Sequence, residues 1–302
     1  MNQQIRTFAE IETDLREGLA WIEARVGKTF RPTSRAKSYL RDVQQIERQL
    51  RIYGARSLFL NKSLATLLNS VREGDLIGQV IIAIRDLGLA DADLPKTIFD
   101  ALQGREHAKD ETATSNNSAR NLFFELRVLT LCLAAGLRAQ SCVHPDVKVW
   151  IDDNPVHIEC KRIFAASNIK GLVSSARNQL RKQIESEPSV TGVIALDLSR
   201  LVTSNRPYVD LTASDTWEDA RRDMNDLIRE RHEGDIIKAL KGKSIQGIKA
   251  LIYFYDHAVF NYERRSFGHG HSVEFVALYP ADISDPVLRT FHRAPCPRRS
   301  IP

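Results

Sequence analysis

The spacing of apolar residues predicts helices in the first third of the chain and strands only afterwards. Up to about residue 106 the apolar positions recur with the period of an amphipathic helix, and no strand is predicted there. The clearest series is Phe8, Ile11, Leu15, Leu19 and Ile22. A polar run at 107–119 contains no large apolar residue and predicts a linker. We therefore expect a helical N-terminal domain over residues 1–110 and a second domain over residues 111–302.

The second domain is predicted to alternate between helices and short strands, which indicates the α/β class. Its first predicted element is a strongly apolar core helix at 119–135, closed by Gly136. The later predicted elements are strands at 137–143, 147–151 and 156–163, a helix at 168–185, a strand at 191–198, a loop at 203–216, helices at 217–232 and 235–240, and strands at 248–255 and 273–278.

Two of these strands bring charged residues together. The sequence at 152–155, Asp-Asp-Asn-Pro, favours a tight turn, so the flanking strands predict a hairpin. Alternation places Glu159 and Lys161 on one face, with His157, and Asp146 lies beside Glu159 if the strands pair in register. Two carboxylates near an amine suit Mg²⁺, which takes oxygen ligands, while the lysine would orient or deprotonate a bound water. The cluster predicts phosphodiester hydrolysis.

Around this hairpin the chain resembles the PD-(D/E)XK, or restriction-endonuclease-like, nuclease superfamily. The signature consists of Pro145-Asp146 and Glu159-Cys160-Lys161, with the twelve residues 147–158 between Asp146 and Glu159. The predicted order of helix, three strands, helix and strand over 119–198 is similar to the αβββαβ core of that superfamily. The resemblance implies a restriction-endonuclease-like core with a mixed sheet flanked by helices, following the helical N-terminal region.

The resemblance also implies how a metal ion would be held. Asp146 and Glu159 would bind Mg²⁺, with Mn²⁺ able to substitute, joined by the backbone carbonyl of Cys160. Lys161 would activate water. Glu125 would bind a second ion or order the ligands of the first, because many members place a glutamate on the helix before the sheet. The alternative for Glu125 is an exposed position on an amphipathic helix.

Several branches of the superfamily also add a glutamine from the helix that follows the lysine strand. Gln179 and Gln183 are the candidates in this chain, and Gln179 is favoured. A solvent-facing polar residue is the alternative, because spacing alone does not fix which face of the helix meets the site.

The resemblance implies a metal-dependent endonuclease that acts on DNA, in bacterial restriction or antiphage defence. A homodimer is expected because two cuts need two sites, and a partner protein is an open possibility. The alternatives are a catalytically inactive nucleic-acid-binding protein of the same fold and an RNA-cleaving toxin. Intact Asp146, Glu159 and Lys161 argue against the inactive protein.

Composition and charge are compatible with a nuclease but do not establish one. The net charge of +5 and the pI near 9.0 are compatible with a polyanionic partner. No apolar run reaches the roughly 18 residues of a membrane span, and the N-terminus lacks the apolar core of a signal peptide. The four cysteines form no C-x-x-C pair, so we expect a cytoplasmic protein without structural zinc.

Two further segments have alternative interpretations. Arginine and lysine dominate 28–62, including Arg41, Arg48 and Arg51. A solvated helix face is the favoured interpretation of this segment, and a surface that binds the phosphate backbone of a nucleic acid is the alternative. His269-Gly270-His271 falls in the predicted connection between the last two strands. It could be a metal pair, but with no cysteine or acidic partner a plain loop is the favoured interpretation, and a loop that contacts DNA or RNA is the alternative.

Overall fold

The computed structural model describes residues 6–54, 64–89, 93–103, 118–142, 145–203, 208–211, 217–240, 246–261, 266–278, 286–287 and 290. Its principal helices are α1 (Phe8–Val26), α2 (Arg35–Tyr53), α3 (Leu64–Asp86), α4 (Leu94–Leu102), α5 (Ser118–Ala134), α6 (Ile169–Ser186), α7 (Ser199–Thr203), α8 (Trp217–Ile228) and α9 (Gly234–Leu240). Its strands are β1 (Arg6–Thr7), β2 (Arg138–Ser141), β3 (Val147–Ile151), β4 (Asn154–Arg162), β5 (Thr191–Asp197), β6 (Tyr208–Leu211), β7 (Ile248–Asn261) and β8 (Ser266–Ala277). None of the helices in these ranges has the length and apolar character needed to cross a membrane.

The strands form one mixed sheet of eight strands within the described residues. The order is β1-β8-β7-β5-β4-β3-β2, and β6 pairs with β7 outside this path. β4, β5, β7 and β6 pair in parallel, whereas the β2-β3-β4 meander and the β7-β8 and β1-β8 pairs are antiparallel. The α/β class predicted from the sequence is confirmed.

Helices cover both faces of this sheet. Successive residues of β5 alternate between two apolar clusters: Val193 and Ala195 join the one that includes α1, α3 and α5, and Ile194 and Leu196 join the one that includes α6, α8 and α9. We call these the α3 face and the α6 face. A strand buried on both faces reads as a continuous apolar run, as β5 does.

The N-terminal helices pack closely against each other. α1 begins with a capping box, in which the Thr7 side chain accepts a hydrogen bond from the Glu10 amide and the Glu10 carboxylate accepts one from the Thr7 backbone N–H. α1 meets α3 at Gly78, where a Cβ would lie only 3.0 Å from the backbone nitrogen of Leu15. The glycine therefore permits a close approach of the two helix backbones.

A network of buried ion pairs lies between α3 and the sheet. Glu73 of α3 accepts hydrogen bonds from Arg72 at 3.0 Å and from Arg162 of β4 at 3.1 Å, and Arg120 of α5 lies 3.6 Å away. Arg162 also donates to Asp197 of β5 at 2.7 Å. Burial opposes ionisation of Glu73, but the guanidinium groups hold its pKa well below the ordinary value. Charge as well as apolar contact thus joins α3 to the sheet.

Several predicted elements differ from those observed. The N-terminal stretch contains the short strand β1, which was not predicted because two residues carry no alternation. The predicted loop at 203–216 contains β6 and begins in α7. The last strand starts at Ser266, so the prediction of a plain loop at His269 and His271 is wrong: both lie in β8. The predicted linker and the domain boundary near residue 110 fall largely in 104–117, outside the described residues.

Candidate active site

A two-residue turn sets the register of the hairpin. Asp152 and Asp153 have φ values of 48° and 62°, the left-handed conformation that two-residue hairpin turns require. Ile151 consequently pairs with Asn154, and the ladder continues to the pair Val147 and Ile158. The next positions along the two strands are Asp146 and Glu159. The predicted neighbourhood of these two carboxylates therefore follows from the local geometry.

Lys161 lies between the two carboxylates. Its Nζ is 3.1 Å from Glu159 Oε2 and 3.7 Å from Asp146 Oδ2. The Glu159 side chain is fully buried, whereas the side chains of Asp146 and Lys161 keep 14% and 17% of their exposure, so solvent reaches the cluster from the Asp146 side. The Lys161 ammonium group therefore supplies positive charge beside both carboxylates.

Glu125 of α5 belongs to the same cluster. Burial raises the pKa of its carboxyl to about 7, the negative charges of Asp146 and Glu159 add to this rise, and Lys161 opposes it. The pKa of Glu159 is raised for the same reasons, burial first and Asp146 second. Three carboxyl groups therefore interact around one lysine, and this imbalance of charge favours the uptake of a proton or a cation.

Gln183 of α6, and not Gln179, reaches Glu159. Its Nε2 donates to Glu159 Oε1 at 3.1 Å, and its Oε1 lies 2.8 Å from His157 Nδ1. Burial lowers the pKa of His157, so its neutral ring donates from Nδ1 and orients the amide. Gln179 instead accepts a hydrogen bond from Ser175 at 3.5 Å. The two glutamines are four residues apart, a separation at which helix geometry alone does not choose between them.

Cys160 contributes its backbone rather than its thiol. Burial raises the pKa of the thiol well above its ordinary value, and Asp146 and Glu125 add to this rise, so the neutral thiol is a poor nucleophile. The Cys160 amide donates to Asp146 Oδ2 at 2.7 Å. Because the N–H and C=O of one strand residue point to the same edge, its carbonyl is also directed toward β3.

The basic helix α2 is partly exposed. Arg41, Arg48 and Arg51 are exposed on its surface. Lys37 instead forms an ion pair with Glu23 at 3.0 Å, and the Arg41 guanidinium donates to the carbonyl of Pro32 at 2.6 Å. A role of this segment in binding nucleic acid stays a prediction.

A second group of ligand-type side chains includes the two histidines that the sequence analysis weighed as a metal pair and rejected, together with an acidic partner that it missed. Asp75 of α3 and the two histidines of β8, His269 and His271, have ligand atoms within 4.8 Å of one another. The carboxyl groups of Glu125, Asp146 and Glu159 do not meet this 4.8 Å limit, so among the described residues they are less closely grouped than Asp75 and the two histidines. A signal for Asp75 was present: like Glu125, it is a carboxylate within an apolar helix, where an unpaired charge is costly.

No protein-family model matches the chain, and neither a curated protein nor a solved structure is significantly similar to it. The assignment to the PD-(D/E)XK superfamily therefore stays a prediction that rests on the motif and on the order of the elements around it.

Proposed function

We propose that this chain is a metal-dependent endonuclease that hydrolyses phosphodiester bonds, with DNA as its substrate. The observation that carries the proposal is the position of the Lys161 ammonium between the carboxylates of Glu159 and Asp146. Support also comes from the element order around the site, in which α5 precedes the β2-β3-β4 meander and α6 leads to β5, parallel to β4. This order is the one that the superfamily resemblance implies.

The donor set fits a hard divalent cation. Asp146, Glu159 and the carbonyl of Cys160 supply oxygen ligands from adjacent strands, and Glu125 adds a further carboxylate. Mg²⁺ takes such oxygen ligands and keeps several waters, and Mn²⁺ accepts the same set. A divalent ion bound there would act as a Lewis acid on the phosphate and lower the pKa of its water.

The protein side chains have separable tasks in this proposal. Gln183 fixes the orientation of Glu159 through one carboxylate oxygen, which leaves the other oxygen to Lys161. Lys161 donates hydrogen bonds and neutralises negative charge, so a phosphate can approach a site lined by carboxylates. Its amine lies close to solvent and can orient or deprotonate the attacking water.

The test is cleavage of supercoiled plasmid and single-stranded DNA in the presence of Mg²⁺, Mn²⁺ or EDTA. Glu159→Gln and Lys161→Met are each expected to lower the rate by about 10²–10⁴-fold. The matched control is Lys148→Met, which removes a lysine one strand away and should retain activity. Its Nζ lies 5.4 Å from the centre of the Trp150 ring.

The other outcomes of the assay identify the alternatives. Metal-dependent cleavage of RNA alone, lost in both variants, would assign the chain as an RNA-cleaving enzyme. Binding of nucleic acid without cleavage by the wild-type chain would indicate an inactive member of the fold. Equal activity in the wild type and in both variants would contradict the assignment of the site. The homodimer, the partner protein, the cytoplasmic location and the role in defence stay predictions.

A further inference from the structure

A second convergence of ligand-type side chains lies on the α3 face of the sheet. His269 Nδ1 is 2.6 Å from Asp75 Oδ2, and His271 Nε2 is 2.8 Å from the same oxygen. The two imidazole rings meet edge to face, with their centroids 4.7 Å apart. The side chains of Asp75 and His269 are buried, whereas His271 keeps 17% of its exposure. One carboxylate oxygen and two ring nitrogens therefore converge on one position. This position is accessible to solvent on the side of His271.

Hydrogen bonds from outside this group orient its ligand atoms. His271 Nδ1 lies 2.8 Å from Asp256 Oδ1, and Arg127 holds both oxygens of Asp256 at 2.8 and 2.9 Å. A histidine that donates from Nδ1 to a carboxylate presents the lone pair of Nε2 on the opposite side, and this arrangement is the usual support of a metal-bound histidine. Gln79 donates to Asp75 Oδ1 at 2.9 Å, on the oxygen that does not face the histidines.

Without a metal ion, burial opposes protonation of His271, but Asp256 and Asp75 raise its pKa and favour an imidazolium that donates to both carboxylates. In the neutral ring with its proton on Nδ1, the lone pair of Nε2 instead faces Asp75 Oδ2 at a distance where two acceptors repel each other. The amide nitrogen of Gln79 lies 2.5 Å from the same Nε2, which favours an unprotonated ring nitrogen there. A cation between Nε2, Asp75 Oδ2 and His269 Nδ1 would turn this repulsion into attraction.

We propose that Asp75, His269 and His271 bind a divalent transition-metal ion of the Zn²⁺ class, and that this ion fixes α3 to β8. Two imidazoles and one carboxylate form a donor set typical of Zn²⁺, whereas Mg²⁺ prefers oxygen ligands. With metal–ligand distances of about 2.0–2.2 Å, tetrahedral ligand atoms lie roughly 3.3 Å apart, so the ligands need to separate by about half an ångström. The proposal is independent of the nuclease assignment, because the ligands lie on the other face of the sheet from Lys161.

The first test uses the metal-depleted full chain with Zn²⁺ or Co²⁺. With excess Mg²⁺ present to occupy the proposed nuclease site, titration calorimetry should detect one equivalent of Zn²⁺, and the Co²⁺ form should show the intense visible absorption of a tetrahedral complex. Nitrogen NMR of the histidines should assign one ligand through Nδ1 and one through Nε2. Failure of the wild-type chain to bind either ion would overturn the proposal, and His271 would then be an imidazolium that bridges Asp75 and Asp256.

Variants locate the ion. His271→Gln should weaken Zn²⁺ binding by more than about 100-fold, and Asp256→Asn, which removes only the support of His271, by about 10–100-fold. Glu159→Gln is the matched control: it disables the proposed nuclease site and should leave Zn²⁺ binding unchanged. Circular dichroism establishes that each variant is folded. Unchanged Zn²⁺ affinity in folded His271→Gln would contradict the proposed ligands, as would loss of the same binding in Glu159→Gln.

Discussion

Lys161 and Arg162 are neighbours in β4, but they lie in opposite electrostatic surroundings. Arg162 faces α3, where Glu73 and Asp197 accept its hydrogen bonds in a buried network of ion pairs. Lys161 faces Glu159 and Asp146 at a solvent-accessible edge, where the carboxylates outnumber the cations. The difference shows how one strand serves two purposes. The arginine completes a charge network that joins two layers, and the lysine leaves an excess of negative charge, which the proposed nuclease activity would use to hold a cation.

The largest effect is expected from Arg162→Met. This change leaves Glu73 and Asp197 buried with fewer positive partners, and breaking a buried pair on one side costs about 3–5 kcal/mol. Chemical unfolding at neutral pH measures the loss. Lys161→Met is the adjacent control and should cost about 1 kcal/mol, because Lys161 and Asp146 keep part of their exposure and the buried Glu159 carboxyl, whose pKa is raised, can take up a proton. Similar losses of unfolding free energy in the two variants would contradict the proposed difference between a structural arginine and a lysine of the site.

A smaller effect is expected from Gln183→Leu. The change removes a donor to the buried carboxylate of Glu159, and a hydrogen bond to a charged group contributes about 1.5–3 kcal/mol. Protonation of Glu159 would offset part of this, so we expect a loss of about 1–2 kcal/mol in the free energy of unfolding. Gln179→Leu, one helical turn away, is the matched control and should stay within about 0.5 kcal/mol of the wild type. The reverse ranking would indicate that Gln179 is the site residue.

The smallest effect concerns Glu125 and depends on pH. The raised pKa of about 7 means that the folded protein binds a proton more tightly than the unfolded chain at this position. The cost of ionising the buried carboxyl is absent below the unfolded value, grows as the pH rises, and is complete above about 7. Glu125→Gln should therefore stabilise the protein by about 1 kcal/mol at pH 8 and have no such effect at pH 4.

The control for this prediction is Glu17→Gln, the same substitution at a carboxylate that keeps half of its exposure. Mg²⁺ provides a second check, because an ion bound beside Glu125 favours the charged carboxylate. Saturating Mg²⁺ should reduce the benefit of Glu125→Gln at pH 8. A gain in stability that is equal at pH 4 and pH 8 would show that the carboxyl group does not titrate near neutrality.

The hairpin and its charged face were predictable because the causes are local. Turn residues at 152–155 and alternation along two strands are enough to place Asp146 beside Glu159. The choice between Gln179 and Gln183 was not predictable, since it depends on how α6 is rotated against β4. The pairing of Asp75 with His269 and His271 joins residues nearly 200 positions apart through tertiary packing. A periodic pattern in either segment contains no information about the other.

The turn at Asp152 and Asp153 also determines where this chain tolerates insertions and deletions. Most surface loops lengthen at little thermodynamic cost, because loop entropy changes slowly with length. One residue added between β3 and β4 would instead shift their pairing by one position and turn each β3 side chain to the opposite face. Asp146 would then lose its place opposite Glu159. Among relatives that retain Asp146 opposite Glu159, we therefore expect loop lengths to vary at other turns and not at this one.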